Sequence, residues 1–151
     1  MILYLDTSAL VKLYVRERGS ARVRTLVAQA AVVATSVVAY AEARAAFARL
    51  LRERPSRGKR HRERVAQLDR DWERYARIEL TAALVHDAGE CAEQFSLRGF
   101  DAIHVASARW LKSIREGDFV FSAFDQALLA AAATCGLTRL RTRVPRRRKS
   151  R

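Results

Sequence analysis

Short apolar runs of strand length alternate with longer amphipathic segments along the chain, and this alternation limits the possible folds more than any other feature. The predicted strands are residues 2–5, 31–36, 77–80, 118–125 and 137–141. The predicted helices are residues 9–15, 20–30, 37–54, 65–75, 81–99, 100–114 and 126–136, with a loop of basic residues, Pro, Ser and Gly at 54–62. Strands that alternate with helices are typical of an α/β domain with a mainly parallel sheet flanked by helices.

The chain of 151 residues has the length of one domain, which we place at residues 1–143, followed by a basic tail at 144–151 that we expect to be disordered. No run of 18 or more uncharged apolar residues is present, and the N-terminal apolar run is too short for a signal peptide. Cys91 and Cys135 form no CxxC motif and are expected as free thiols. These features predict a cytoplasmic protein without a membrane span.

Positive charge is the strongest signal in the composition. The chain has 29 Lys and Arg against 16 Asp and Glu, a formal net charge of +13, and the excess lies mainly in residues 44–77 and in the tail "RLRTRVPRRRKSR". Such a surface favours a polyanionic partner, of which nucleic acid is the commonest. A genome rich in arginine codons would contribute to the same excess. For the arginine-rich segment 52–64, contact with RNA, contact with a protein partner and simple solvation all stay open.

Several carboxylates follow predicted strands or open predicted helices. Asp6 ends the first strand and Asp125 follows "FVFS", both at the carboxyl ends where parallel sheets hold their ligands, whereas Asp118 begins its strand and is expected at the opposite edge. Glu42 lies about two turns into the helix after the second strand, and Asp101 opens a later helix. Each acid alone has an ordinary explanation as a helix cap or a solvated side chain. Three or four at one edge of the sheet indicate a site.

Carboxylates that gather at one place repel each other unless they share protons or bind a cation. Oxygen ligands without cysteine or histidine partners suit hard ions, so the pattern favours Mg²⁺, with Mn²⁺ as the alternative. These ions stabilise the charge that develops in phosphodiester hydrolysis and activate a water molecule. Together with the basic surface, the acids predict metal-assisted hydrolysis of a nucleic acid.

Four segments resemble successive motifs of the PIN-domain ribonucleases, and most of all the VapC toxins of bacterial and archaeal toxin–antitoxin pairs. They are "YLDTSALVKLYV", "TSVVAYAEARAAF", "FDAIHVASA" and "FVFSAFDQALLAAAATCG", in order and spread from Ile2 to about Leu140. The resemblance implies a three-layer fold around a central parallel sheet of about five strands. It also implies that the following acids are catalytic and hold the metal, the last of them less regularly: Asp6, Glu42, Asp101 and Asp125.

Three further residues lie near the predicted site. Ser8 and Ser122 stand where such proteins often carry a hydroxyl. His104, one turn after Asp101, could approach the acids, but we expect it to be a packed helix residue because the family pattern does not require a histidine there.

The resemblance implies a metal-dependent endoribonuclease that hydrolyses RNA to a 5′-phosphate and a 3′-hydroxyl. It further implies a homodimer and a small VapB-like antitoxin that neutralises the toxin and carries a DNA-binding end. A haloacid-dehalogenase-like phosphatase is disfavoured, because the second acid expected two residues after Asp6 is Ser8. The remaining alternative is a non-catalytic PIN-like module that binds nucleic acid or protein, although none of the four acids is missing.

Overall fold

A computed structural model describes residues 1–137 of the chain. The strands are β1 Ile2–Leu5, β2 Val32–Ser36, β3 Ala76–Ile78 and β4 Phe119–Ser122. The helices are α1 Thr7–Val11, α2 Ser20–Gln29, α3 Val38–Glu53, α4 Gly58–Trp72, α5 Ala82–Phe95, α6 Gly99–Ser113 and α7 Gln126–Thr134, with a 3₁₀ turn at Pro55–Arg57. None of the helices in this part of the chain combines the length and the hydrophobicity that a membrane span requires.

The four strands form one parallel sheet in the order β3-β2-β1-β4. β1 is central: Tyr4 pairs with Ala34 on one side and with Phe121 on the other. All strands therefore end at the same edge, which confirms the predicted α/β class with its parallel sheet and helical flanks. The sheet has four strands here rather than about five, and the predicted strand 137–141 lies, apart from Leu137, outside the described residues. The end of the domain at 143 and the tail 144–151 lie outside them as well.

The alternation of side chains along β1 separates two hydrophobic layers. Leu3 and Leu5 point into a core shared with α1 to α4, while Tyr4 points into a core shared with α5, α6 and α7. All three side chains are fully buried, and burial of a side chain of this size stabilises the fold by about 1.5–3 kcal/mol. The helices thus cover both faces of the sheet, giving the three layers that the resemblance implied.

The predicted loop at 54–62 is wrong in its second half, because α4 begins at Gly58. The breaker Pro55 stands at the first position of the 3₁₀ turn, where its missing N–H costs no hydrogen bond. After it, arginine and lysine favour helix, and the buried Leu68 anchors α4 on the core. The basic segment 52–64 therefore continues into a helix from Gly58 onward.

The predicted helix 81–99 also ends early. α5 stops at Phe95, and Ser96 takes the left-handed conformation (φ 53°) that often closes a helix. Gly99, expected as the terminator, instead opens α6. Cys91 and Cys135 are free thiols, as expected.

Candidate functional site

A cavity of about 340 Å³ lies at the edge of the sheet where the parallel strands end. The side chains around it come from the residue after β1, from α1 and the segment that follows it, from α3 and α6, and from the turn after β4. All four acids predicted from the sequence line this cavity: Asp6, Glu42, Asp101 and Asp125. Asp118 lies at the opposite edge, where its carbonyl accepts the N–H of Ile2 at 2.8 Å, as the strand direction predicted.

Asp6 is the most rigidly held of the acids. It follows β1 directly, its N–H donates to the carbonyl of Ser122 at 3.1 Å, and its carboxylate caps α1 by accepting the N–H of Ala9 at 2.8 Å. The hydroxyl of Ser8 lies 2.8 Å from each carboxylate oxygen. Only 4% of Asp6 is exposed, and this burial raises its pKa to about 6, against the lowering effects of His104, Ala9 and Ser8.

Glu42 is held by two neighbours that belong to other helices. It stands in the second turn of α3, where the hydroxyl of Thr7 donates to its Oε2 and His104 Nε2 lies 3.2 Å from the same oxygen. Burial disfavours the charged form of Glu42, but the hydrogen bonds from His104 and Thr7 outweigh it. The pKa of Glu42 is therefore held below its ordinary value.

His104 connects the acidic cavity to the core. The side chain is 2% exposed, and its Nδ1 lies 3.0 Å from the hydroxyl of Tyr4, which is itself fully buried. Its Nε2 lies 3.0 Å from the hydroxyl of Thr7, in addition to its contact with Glu42. A Tyr4 hydroxyl that donates to Nδ1 leaves the proton on Nε2, which then points toward Glu42. His104 is packed, as expected from the sequence, and it also contacts Glu42.

Asp101 and Asp125 complete the acidic lining. Asp101 lies in the first turn of α6 and does not cap that helix, since Arg98 holds the cap position. Burial and the nearby charge of Asp125 raise the pKa of Asp101, while Arg98 opposes this effect. Asp125 is exposed and caps α7 by accepting the N–H of Leu128 at 2.9 Å. Asp125 therefore caps α7 and lines the cavity at the same time.

The serine and threonine residues near the cavity make different hydrogen bonds. Ser8 bonds Asp6 and also accepts the N–H of Phe124 at 3.0 Å, so it joins the end of β1 to the turn after β4. Ser122 is buried and contributes its main-chain carbonyl to Asp6. Thr7 was not singled out from the sequence. Its position directly after Asp6 was visible, but only the approach of α3 shows that it bonds Glu42.

The four carboxylates of the cavity, with hydroxyls beside them, fit a hard divalent cation, and His104 and Lys12 line the same cavity. Within residues 1–137, no three His, Cys, Asp or Glu side chains lie close enough together in this conformation to hold a metal ion. The acids thus form a spread set around the cavity rather than a closed coordination sphere. Asp6, Glu42, Asp101 and Asp125 are the residues that could contribute ligands.

Comparison with known proteins shows the family that the chain matches. Residues 3–134 match the family described as PIN domain. The chain is 33% identical over 139 residues to the protein named Ribonuclease VapC45 of Mycobacterium tuberculosis (strain CDC 1551 / Oshkosh), a match that covers 89% of this chain and 92% of that protein. Residues 3–134 contain β2, β3, β4 and all four acids of the cavity.

Two solved structures share the fold. Mycobacterium tuberculosis VapC20, described as a sarcin–ricin loop cleaving toxin, superposes with a TM-score of 0.64 at 23% identity, covering 90% of this chain and 96% of that chain. FitAcB of Neisseria gonorrhoeae superposes with a TM-score of 0.62 at 19% identity, covering 92% of this chain and 96% of that chain. At these identities the superpositions establish the fold and the order of its elements.

Proposed function

This chain belongs to the PIN domain family, and we propose that it is an endoribonuclease that acts as the toxin of a toxin–antitoxin pair. The observation that carries the proposal is the cavity at the carboxyl edge of the sheet, which gathers Asp6, Glu42, Asp101 and Asp125 from four separate segments. The relative named Ribonuclease VapC45, which matches this chain over nearly its whole length, supports RNA as the substrate. The net charge of +13 also favours a polyanionic substrate.

Cleavage is proposed to depend on Mg²⁺, with Mn²⁺ as a substitute. The ion would be held by the four carboxylates of the cavity and, when bound, supplies positive charge at the phosphodiester and activates the attacking water. Contacts within the chain set the ionisation of the carboxylates that would bind the ion. Thr7 and His104 keep Glu42 ionised, while the buried Asp6 has a pKa of about 6 and is therefore mostly ionised at neutral pH.

The rigidity of the site follows from its hydrogen bonds. Asp6 is fixed by Ser8 and the N–H of Ala9, so its oxygens keep one orientation at the end of β1. Asp125 is fixed in the same way by its cap on α7. Preorganised charges of this kind contribute to catalysis because they need no rearrangement when the transition state forms. We infer hydrolysis that leaves a 5′-phosphate and a 3′-hydroxyl.

The proposed partners follow from the same family. A VapB-like antitoxin would cover the acidic cavity, and the active toxin is proposed to be a homodimer in the cytoplasm. Co-expression with the product of a short neighbouring reading frame tests the antitoxin, since a stable complex should form and lose ribonuclease activity.

Purified protein and a mixed pool of cellular RNA test the activity. Cleavage is expected with Mg²⁺ or Mn²⁺, should stop with excess EDTA, and should return when Mg²⁺ is restored. Cleavage that persists in EDTA would contradict the metal dependence and leave the ribonuclease assignment standing. RNA binding without cleavage under every metal would instead indicate the non-catalytic module.

A further inference from the structure

A second and larger cavity, of about 1010 Å³, lies between the segment that joins α1 to α2 and the helices α3 and α4. We call it the arginine groove. Six arginines line it, together with three glutamates: Arg16, Arg24, Arg54, Arg57, Arg60, Arg64, Glu17, Glu53 and Glu63. The groove therefore carries an excess of positive charge within a concave surface. It includes much of the basic segment 52–64, whose purpose the sequence left open.

The glutamates do not neutralise this excess. Glu53 pairs with Arg49 at 3.1 Å and Glu17 pairs with Lys12 at 2.7 Å, and neither of these partners lines the groove. Within the described residues, none of the six lining arginines makes an ion pair with a carboxylate, and Arg24 donates to the main-chain carbonyl of Leu13. An exposed arginine of a helix is stabilised by a carboxylate three or four residues away. These arginines are concentrated in one place instead.

Arg64 carries an N–H group in the groove that has no hydrogen-bond acceptor in the described residues. Its Nε is buried and has no hydrogen-bond partner within residues 1–137. Burial and the like charges of Arg60 and Arg57 lower the pKa of Arg64, and no carboxylate of the described residues pairs with it. A buried guanidinium N–H normally finds an acceptor, because leaving it without one costs about 1–3 kcal/mol or more. An anionic ligand would supply that acceptor.

The arginine groove adjoins the acidic cavity. Glu17 lines both, and Lys12, which pairs with Glu17, lines the acidic cavity with its ammonium over the ring of Phe124 at 4.2 Å from the centroid. A single elongated ligand can therefore pass from one cavity to the other. The acids and the arginines would contact different parts of that ligand.

We propose that the arginine groove binds backbone phosphates of a single RNA strand on one side of the phosphodiester that lies at the acidic cavity. This inference rests on the proposed function and adds the path of the substrate. A guanidinium presents paired N–H groups that match phosphate oxygens. Continuity with the acidic cavity favours RNA, because one strand would place some phosphates at the arginines and the phosphodiester that is cut at the carboxylates.

The test compares two double variants of α4 that remove the same charge. Arg60→Gln with Arg64→Gln changes the groove, whereas Arg62→Gln with Arg70→Gln removes two exposed arginines of the same helix that do not line it. Both are made in the full chain carrying Asp6→Asn, so that RNA is bound but not cut. The affinity for a short single-stranded RNA is then measured by anisotropy over a series of salt concentrations.

Each phosphate contact to a single strand contributes about 0.7 to the slope of log K against log salt. The groove variant should therefore lose about 1.4 from this slope and bind more weakly at low salt, while the helix control stays close to its parent. Equal losses in both variants would overturn the proposal, because net charge alone would explain them. A groove variant that binds RNA like its parent but loses a polyglutamate peptide would overturn it as well and identify an acidic protein partner.

Separate measurements of RNA binding and RNA cleavage distinguish failure of the arginine-groove proposal from failure of the proposed function. If the otherwise unmodified chain never cuts RNA but the groove variant still loses RNA affinity, the proposed catalysis fails and the groove stands. If cleavage is metal-dependent and both double variants, with Asp6 restored, cut RNA with the parent KM at low salt, the groove fails and the proposed function stands. Circular dichroism on each variant checks that α4 is intact.

Discussion

The acidic cavity and the arginine groove carry opposite charges and are built by different means. In the cavity, Asp6 and Asp125 are each fixed by a main-chain N–H of the helix that they cap. In the groove, arginines such as Arg57 and Arg60 carry their charge at the end of long side chains without an ion pair in the described chain. Fixed carboxylates suit chemistry that depends on position, whereas mobile cations suit a polymer that must bind and leave.

The largest effect is expected in the acidic cavity, where hydrogen bonds fix the carboxylates. Asp6→Asn removes one charge from the cavity and keeps the hydrogen bonds from Ser8 and Ala9, so the fold should persist. The cleavage rate should fall by at least about 1000-fold, or about 4 kcal/mol, if Asp6 helps to hold the ion. RNA cleavage under single-turnover conditions measures this loss. A variant that cuts at the parental rate would remove Asp6 from the proposed site.

The same substitution should stabilise the metal-free protein. The pKa of Asp6 is about 6 in the folded state against 3.8 ordinarily, so the protonated form favours folding fully below about pH 3.8, and this contribution is lost as the pH rises through about 6. At neutral pH, Asp6→Asn should therefore raise the free energy of unfolding by about 3 kcal/mol.

Urea unfolding in EDTA at neutral pH and at about pH 4.5 measures this effect, and the gain should shrink to about 1 kcal/mol at the lower pH. Asp118→Asn is the matched control, because Asp118 is exposed at the opposite edge of the sheet. A gain that is equal at both pH values would argue that the ionisation of Asp6 is not its cause.

His104 tests whether the cavity depends on support from the core. His104→Ala removes the contacts with Glu42 and Thr7, and loss of such a supporting group typically costs about 10–100-fold in activity or metal affinity. The loss should appear in kcat and in the Mg²⁺ requirement, with KM for RNA unchanged.

His104→Gln can place an amide N–H near the position of Nε2 and should recover part of this activity, while His104→Asn should not. A purely structural role would make the losses follow the stability of the variants rather than the position of the donor. Thermal unfolding of all three variants separates the two explanations.

The smallest effect is expected in the segment between α1 and α2, which lies beside both the acidic cavity and the arginine groove. Gly19, at the start of α2, has φ of +94°, and a Cβ there would lie 2.5 Å from the ring of Phe124. Gly19→Ala should therefore destabilise the protein by about 1–2 kcal/mol from the backbone alone. Gly89→Ala is the control, since its Cβ would meet nothing within 4 Å and alanine favours a helix. A lower melting temperature for Gly89→Ala than for Gly19→Ala would contradict this assignment.

The acidic cavity was predictable because each of its acids is tied to a local feature. Asp6 and Asp125 follow parallel strands, and the ends of such strands must meet at one edge. The contact of His104 with Glu42 was not predictable, since it depends on how α6 packs against α1 and α3. The start of α4 at Gly58 was missed because composition resembled a loop, while the packing of Leu68 on the core favours a helix.

The sequence by itself determined the α/β class and the edge of the sheet at which the four acids gather. These follow from periodicity and strand direction, which are properties of neighbouring residues. Only the tertiary structure decided which arginines share a groove, that Thr7 and His104 hold Glu42, and that the groove adjoins the cavity at Glu17. Those contacts join residues far apart in the chain, and their distances are fixed only when the helices pack on the sheet.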